Sequence, residues 1–168
     1  MDLDQSEFKK IIKFLSLENF HIDSGFDPKP IGDGQSNPTF LIRDDKKNLK
    51  VLRTQPPGNL ARGAHRVDRE FSVLKALFIK GFECPQPFVL CNNSELIGRM
   101  FYVMDFEEGD INFNPLLPNE NFQDKQKIYK SLAEVLGKLH GYDINELGLS
   151  FKKNQGFMKR NLSLWYDQ

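Results

Sequence analysis

The sequence predicts an α+β fold, in which about five antiparallel strands and one crossing helix are followed by the first helices of a second, largely helical part. Two observations predict the sheet: short runs of β-branched and aromatic residues recur in the first 104 residues, and glycine, proline or polar turns separate them. A third observation predicts the helices, because apolar residues recur at helical spacing in longer stretches. A chain of 168 residues is long enough for one small lobe and the beginning of another.

The first 24 residues are predicted to form a packing helix. Asp4 followed by Glu7 is typical of a helix N-terminus, where such side chains cap the backbone. Lysines lie off the apolar face, whose members are Phe8, Ile11, Ile12 and Leu15. Gly25 and the prolines that follow it end the helix.

The sheet is predicted from five short segments. They run up to Ile31 and over residues 39–42, 49–52, 88–91 and 100–104. A polar turn at 44–48 joins the second and third strands, which should therefore be antiparallel. Residues 64–80 should form the crossing helix, because their apolar side chains fall on one stripe and Gly81 is a common helix terminator.

The character of the chain changes after Met104. Residues 105–118 are acidic, contain a glycine and are predicted to connect two bodies. A long helix should follow from Phe122 to Leu139, and a short amphipathic piece lies around residues 162–165. The predicted organisation is a packing helix at 1–24, a first lobe at 25–104, a connector at 105–118 and the start of a helical lobe at 119–168.

Composition excludes several classes of function. The formal charges cancel, 23 against 23, so no overall field attracts nucleic acid or an anionic membrane. No apolar run approaches the roughly 20 residues that a transmembrane helix needs. The N-terminus is acidic, unlike a signal or transit peptide. No Walker A motif, Rossmann glycine set, metal-ligand cluster or serine-hydrolase elbow is present in the sequence.

A glycine-containing turn precedes the second strand. Gly32 and Gly34 would let the backbone approach a phosphate closely, and Ser36 would add a hydroxyl donor. Asn37 continues the same string and is counted with these residues in the predicted cofactor site. Turns are where glycine commonly occurs, so this pattern alone is weak evidence for a binding site.

Arg53 and Glu70 strengthen the interpretation. Arg53 ends an apolar strand, where a charge is costly unless it is paired, and Glu70 lies on the predicted crossing helix. A guanidinium does not deprotonate, so Arg53 would act as a fixed clamp on phosphates, oriented by Glu70. The order of glycine turn, cation, carboxylate and connector is that of a nucleotide cleft.

These residues carry a resemblance. The carrying segments are Gly34-Gln35-Ser36-Asn37-Pro38-Thr39-Phe40, Val51-Leu52-Arg53, Pro56-Pro57-Gly58, Ala64 to Phe71 and Phe101-Tyr102-Val103-Met104. Together they resemble the N-lobe of the protein-kinase-like, aminoglycoside phosphotransferase type of kinases. More closely, they are similar to the kinase-like domain that opens acyl-CoA dehydrogenase family members 10 and 11.

The resemblance implies roles for further residues. Met104 would guard the back of an adenine pocket, and the carbonyl of Asp105 and the N–H of Glu107 would meet the adenine edge. Arg53 stands where most kinases have lysine. The implied cofactor is ATP with Mg²⁺, and the implied substrate of the complete protein is a hydroxyacyl-CoA, specifically a 4-hydroxyacyl-CoA. A flavin dehydrogenase domain, which would hold FAD, belongs to the longer proteins and not to these residues.

The sequence also departs from the resembled pattern. Those kinases carry a His-Gly-Asp…Asn loop and a later metal-binding Asp. Here His140-Gly141-Tyr142-Asp143 has an inserted tyrosine, and Val67 separates His65-Arg66 from Asp68. Both stretches lie where the family has helices, so we expect neither catalytic nor metal-binding residues in this segment. These 168 residues should contain half an active site and show no turnover.

Two alternatives stay open at this point. The domain could be a non-catalytic pseudokinase or interaction domain attached to a dehydrogenase, or it could serve only as a packing element for that dehydrogenase. We also expect the long helix to expose apolar residues and to promote self-association. By resemblance, the location would be mitochondrial or peroxisomal, inside the cell, although no targeting signal is present in this segment.

Overall fold

The structure is a computed structural model that describes residues 3–32, 37–58 and 64–149. The helices and strands, in chain order, are α1 (Gln5–Leu17), β1 (Lys29–Pro30), β2 (Thr39–Arg43), β3 (Leu49–Thr54), α2 (Val67–Ile79), β4 (Pro87–Cys91), β5 (Phe101–Asp105) and α3 (Phe122–His140). This order confirms the predicted α+β class. The predicted piece at 162–165 lies outside the described residues.

The five strands form one antiparallel sheet in the order β1-β2-β3-β5-β4. Thr39 of β2 is opposite Arg53 of β3, and Arg53 is in turn opposite Tyr102 of β5. The strand that follows the glycine turn therefore lies beside the strand that carries Arg53. The predicted sheet is confirmed, with each strand edge within two residues of the sequence-based bounds.

Helix α1 packs on one face of the sheet. Its apolar residues join a core with alternate residues of β2, β3 and β5, among them Phe40, Leu52 and Phe101. The predicted capping is present, since the side chain of Asp4 caps the first turn and that of Glu7 reaches back to the Asp4 N–H. The α1 helix is a packing element, as the sequence predicts.

Glu7 also anchors α1 to the segment between β4 and β5. Both of its carboxylate oxygens accept hydrogen bonds from Arg99, at 2.9 and 2.7 Å. The Arg99 side chain is only 8% exposed, so this bidentate pair is largely removed from water.

Helix α2 packs on the opposite face. Val67 and Phe71 contact Tyr102. The Phe71 and Tyr102 rings meet edge to face, with centroids 5.8 Å apart. Tyr102 alternates with Phe101 along β5, so its side chain points away from the α1 core. The predicted start of this helix was wrong by three residues: it begins at Val67, because His65 has a φ of 53° and is not helical.

Helix α3 has no buried residue among those described. Phe122 is 73% exposed and Leu132 is 51% exposed, so the predicted exposure of its apolar side chains is confirmed. The self-association expected from this exposure stays a prediction. Within the described ranges, no helix combines the length and hydropathy needed to cross a bilayer.

Candidate functional site

Arg53 and Glu70 meet on the α2 face of the sheet. Arg53 comes from β3, and Glu70 comes from the first turn of α2. The Nε atom of Arg53 donates to Oε2 of Glu70 at 2.7 Å, and Nη1 of Arg53 donates to Oγ1 of Thr39 at 2.9 Å. The two charged side chains are 28% and 34% exposed, so a ligand can reach them. The contact predicted between Arg53 and Glu70 is present; their role in binding a nucleotide stays a prediction.

Two further donors converge on Glu70. Nδ2 of Asn37 donates to Oε1 at 2.8 Å, and the hydroxyl of Tyr102 donates to Oε2 at 3.3 Å. Burial raises the pKa of Tyr102 far above its usual value, and the Glu70 charge raises it further. Tyr102 therefore stays protonated and can only support the carboxylate as a donor.

Asn37 lies next to Glu70, where both ends of its side-chain amide contact protein groups. The residue is buried, and its predicted part in binding a nucleotide stays a prediction. Oδ1 of Asn37 lies 3.1 Å from Nδ1 of His65. The structure thus places this amide behind Glu70, where it contacts the carboxylate.

His65 is a site residue that sequence reasoning missed. It lies just before α2, and its carbonyl accepts hydrogen bonds from Nε2 of Gln55 and from the Val67 N–H, each at 2.9 Å. Oε1 of Gln55 accepts the N–H of Met100 at 3.0 Å, which ties this loop to the start of β5. The one signal in the sequence was a polar residue placed directly before the helix that carries Glu70.

The glycine turn is described only at its edges. Gly32 is exposed and has a φ of 78°, and a Cβ built on it would meet nothing within 4 Å. Backbone conformation, and not crowding, therefore explains glycine at this position. Gly34 and Ser36, which were predicted to bind phosphate, lie outside the described residues.

The connector begins at the end of β5. Met104 is opposite Val51, two residues along the strands from the Arg53–Tyr102 pair, or about 7 Å. Met104 packs against the cluster under α2, so it shares a face with Arg53. Glu107 is exposed, two residues beyond the end of β5.

Asp105 is held by Lys50, which is not among the predicted site residues. Nζ of Lys50 lies 2.6 Å from Oδ1 of Asp105 and 3.6 Å from Oδ2 of Asp44. It also lies 4.8 Å from the centre of the Phe88 ring. The Asp105 N–H donates to the carbonyl of Gln86 at 2.9 Å, so both backbone and side chain fix the start of the connector.

The two stretches that approach a catalytic loop lie at helix ends. His140 is the last residue of α3, and Asp143 accepts a hydrogen bond from the backbone N–H of Asn145 at 2.8 Å. Asp68 lies in the first turn of α2 and pairs with Arg66, which lowers the pKa of its carboxyl group.

Comparisons with known proteins agree with this fold. The profile of the phosphotransferase enzyme family matches residues 27–167. Acyl-CoA dehydrogenase family member 11 of Rattus norvegicus is 43% identical over 136 residues, which are 80% of this chain and 17% of that protein. Acyl-CoA dehydrogenase family member 10 of Mus musculus is 34% identical over 169 aligned residues, which cover 100% of this chain and 16% of that protein. The chain thus spans less than a fifth of these relatives.

A comparison with a solved structure supports the fold. A Ralstonia eutropha protein assigned as an aminoglycoside phosphotransferase superposes with a TM-score of 0.69 at 24% identity, and the match covers 95% of this chain and 46% of that one. At this identity the likeness shows the kinase-like fold alone. The family match over most of the chain goes further, and with it we conclude that the chain belongs to the phosphotransferase enzyme family.

Proposed function

We propose that this chain is the nucleotide-binding part of a small-molecule kinase domain that uses ATP with Mg²⁺. The observation that carries the proposal is the 2.7 Å contact between Arg53 and Glu70, on the same sheet face as Met104, which precedes the connector. In kinase-like folds a cation on this strand, paired with a carboxylate on the crossing helix, positions nucleotide phosphates. The kinase-like fold and the family match support this assignment.

The chemistry of Arg53 suits a phosphate ligand. Its charge is permanent, and its remaining Nη2 makes no hydrogen bond to the described part of the chain. Because Glu70 and Thr39 already orient the guanidinium, little side-chain entropy is lost when a phosphate binds. Gly32, Gly34 and Ser36 would cover the phosphates, and Met104, Asp105 and Glu107 would line the adenine end.

We further propose that the complete protein phosphorylates a hydroxyacyl-CoA, with a 4-hydroxyacyl-CoA as the specific substrate. The support is that the relatives with 43% and 34% identity are named acyl-CoA dehydrogenases. A hydroxyl group is the chemical requirement for a phosphate acceptor, and a flavin dehydrogenase elsewhere in such a protein would act on the same acyl chain. FAD would belong to that part and not to these residues.

Isothermal titration of the full-length protein with Mg-ATP tests the proposal. We expect saturable binding that weakens about tenfold or more in R53M, because the variant loses the charged contact to phosphate. R69M is the matched control, since Arg69 is an exposed arginine on the same helix as Glu70. Absence of binding in the unsubstituted protein, or equal weakening in R53M and R69M, would contradict it.

A second assay separates catalysis from nucleotide sensing. Transfer of the γ-phosphate from labelled ATP to a 4-hydroxyacyl-CoA by the full-length protein would support the kinase assignment. Mg-ATP binding without transfer to any hydroxyacyl-CoA would favour the pseudokinase alternative instead.

A further inference from the structure

We propose that Asn37 and His65 are positioning residues. Through a relay of hydrogen bonds they hold the Glu70 carboxylate, and Glu70 in turn holds the Arg53 guanidinium. The negative charge of Glu70 determines which group donates and which accepts at each bond of the relay. The inference deepens the proposed function and rests on it, because the relay matters for ligands only if Arg53 binds phosphate. Neither residue touches the nucleotide in this scheme.

The relay closes a ring around Arg53. Nη1 of Arg53 donates to Oγ1 of Thr39 at 2.9 Å, and that hydroxyl donates to the Asn37 carbonyl at 3.0 Å. Nδ2 of Asn37 donates to Oε1 of Glu70 at 2.8 Å, and Oε2 of Glu70 accepts from Nε of Arg53 at 2.7 Å. Each group in the ring has its partner, so the guanidinium is fixed from two sides.

The Glu70 charge determines which way every bond points. An ionised carboxylate only accepts hydrogen bonds, so the Asn37 amide must turn its Nδ2 toward Glu70. Oδ1 of Asn37 then faces Nδ1 of His65 at 3.1 Å, and an amide oxygen also only accepts. His65 must therefore carry a proton on Nδ1, and the neutral ring is the Nδ1–H tautomer.

The relay joins three segments that are far apart in sequence. Asn37 follows the glycine turn, His65 ends the loop before α2, and Glu70 is on α2; the contacts from Asn37 span 28 and 33 residues. Asn37 is 5% exposed, so a water molecule does not readily replace its bonds. Displacement of Asn37 would therefore disturb Glu70, and displacement of α2 would disturb Asn37.

The tautomer of His65 is the first test. In nitrogen-15 spectra of the histidine-labelled full-length protein, the unsubstituted chain should show His65 protonated at Nδ1 and unprotonated at Nε2 when neutral. In E70Q the glutamine oxygen must accept from Arg53, so the glutamine NH₂ faces Asn37. The Asn37 amide then flips, so that its oxygen accepts from this NH₂ and its own NH₂ faces His65. Nδ1 of His65 must now accept a hydrogen bond, so the ring switches to the Nε2–H tautomer. An Nε2–H tautomer in the unsubstituted protein, or no switch in E70Q, would overturn the relay.

A matched pair of variants is the second test. Asn and Asp both tolerate the positive φ of His65, and both place a polar atom near the position of Nδ1. H65N keeps a donor and should retain Mg-ATP affinity, whereas H65D presents only acceptors and should weaken it about tenfold, or about 1.4 kcal/mol. Adenosine, which lacks phosphates, should bind both variants within about twofold of the unsubstituted protein, because the relay acts through Arg53.

The remaining variants, together with the unsubstituted protein, distinguish failure of the positioning role from failure of the proposed function. N37A should weaken Mg-ATP as H65D does, and N48A is the control, since Asn48 also bonds a carboxylate but at the far end of the β2–β3 hairpin. Mg-ATP binding that H65D and N37A leave unchanged would overturn the positioning role alone. Absence of Mg-ATP binding in the unsubstituted protein would overturn the proposed function and the positioning role together.

Discussion

Removal of the Glu70 carboxylate should destabilise the protein through the donors that it leaves without a partner. In E70A three donors lose their acceptor: Arg53, Asn37 and Tyr102. Asn37 and Tyr102 are 5% and 2% exposed, and a buried unpaired donor costs about 1–3 kcal/mol. The ion pair with Arg53 is partly exposed and contributes less than about 1 kcal/mol. Water that enters the space beside Arg53 offsets part of the cost of the unpaired donors. We therefore expect the free energy of unfolding to fall by about 2–4 kcal/mol.

Urea unfolding followed by circular dichroism measures this loss. E134A is the matched control, because Glu134 is an exposed helical glutamate on α3 with a 3.9 Å contact to Lys130, and its removal should cost less than about 0.5 kcal/mol. A loss in E70A below about 1 kcal/mol would refute the view that three donors depend on this carboxylate.

Three further predictions concern charged groups that do not contact Glu70. K50M should lose about 2 kcal/mol in urea unfolding, because it leaves the Asp105 carboxylate without its cation; unchanged stability would contradict this. R99M should lose about 3 kcal/mol in the same assay by leaving Glu7 without its bidentate partner, and a stabilised variant would show that the pair is replaceable. Hydrogen bonds from Lys47 and Arg43 lower the pKa of Asp23 from 3.8 to about 2. The contribution of Asp23 to folding stability is therefore present above about pH 4 and is lost as pH falls toward about 2. D23N should therefore show a smaller fall in unfolding free energy than the unsubstituted protein between pH 5 and about pH 2, and equal falls would refute the assignment.

The sheet, the apolar stripes of α1 and α2, and the Arg53–Glu70 contact could be predicted from the sequence. Each depends on local patterns: alternation in the strands, helical spacing in α2, and a charge at the end of an apolar strand that needs a partner. The strand bounds agree with the sequence-based ones within two residues for the same reason.

The residues around Glu70 could not be predicted from those patterns. Asn37 contacts Glu70, and His65 contacts Asn37, only because of the angle at which α2 crosses the sheet, and no local signal encodes that angle. The Gln55 side chain, which is distant in sequence, also holds the His65 carbonyl, and the positive φ of His65 places the start of α2 after the predicted residue. The contact between Lys50 and the connector depends on the register between β3 and β5, which distant packing sets.

A structure of the full-length protein with Mg²⁺ and a non-hydrolysable ATP analogue tests the central claim most directly. We predict that a phosphate oxygen lies about 2.7–3.2 Å from the Arg53 guanidinium while Arg53 keeps its contact to Glu70. The adenine should lie beside Met104 on the same face of the sheet. Phosphates bound on the α1 face, or bound without contact to Arg53, would contradict it.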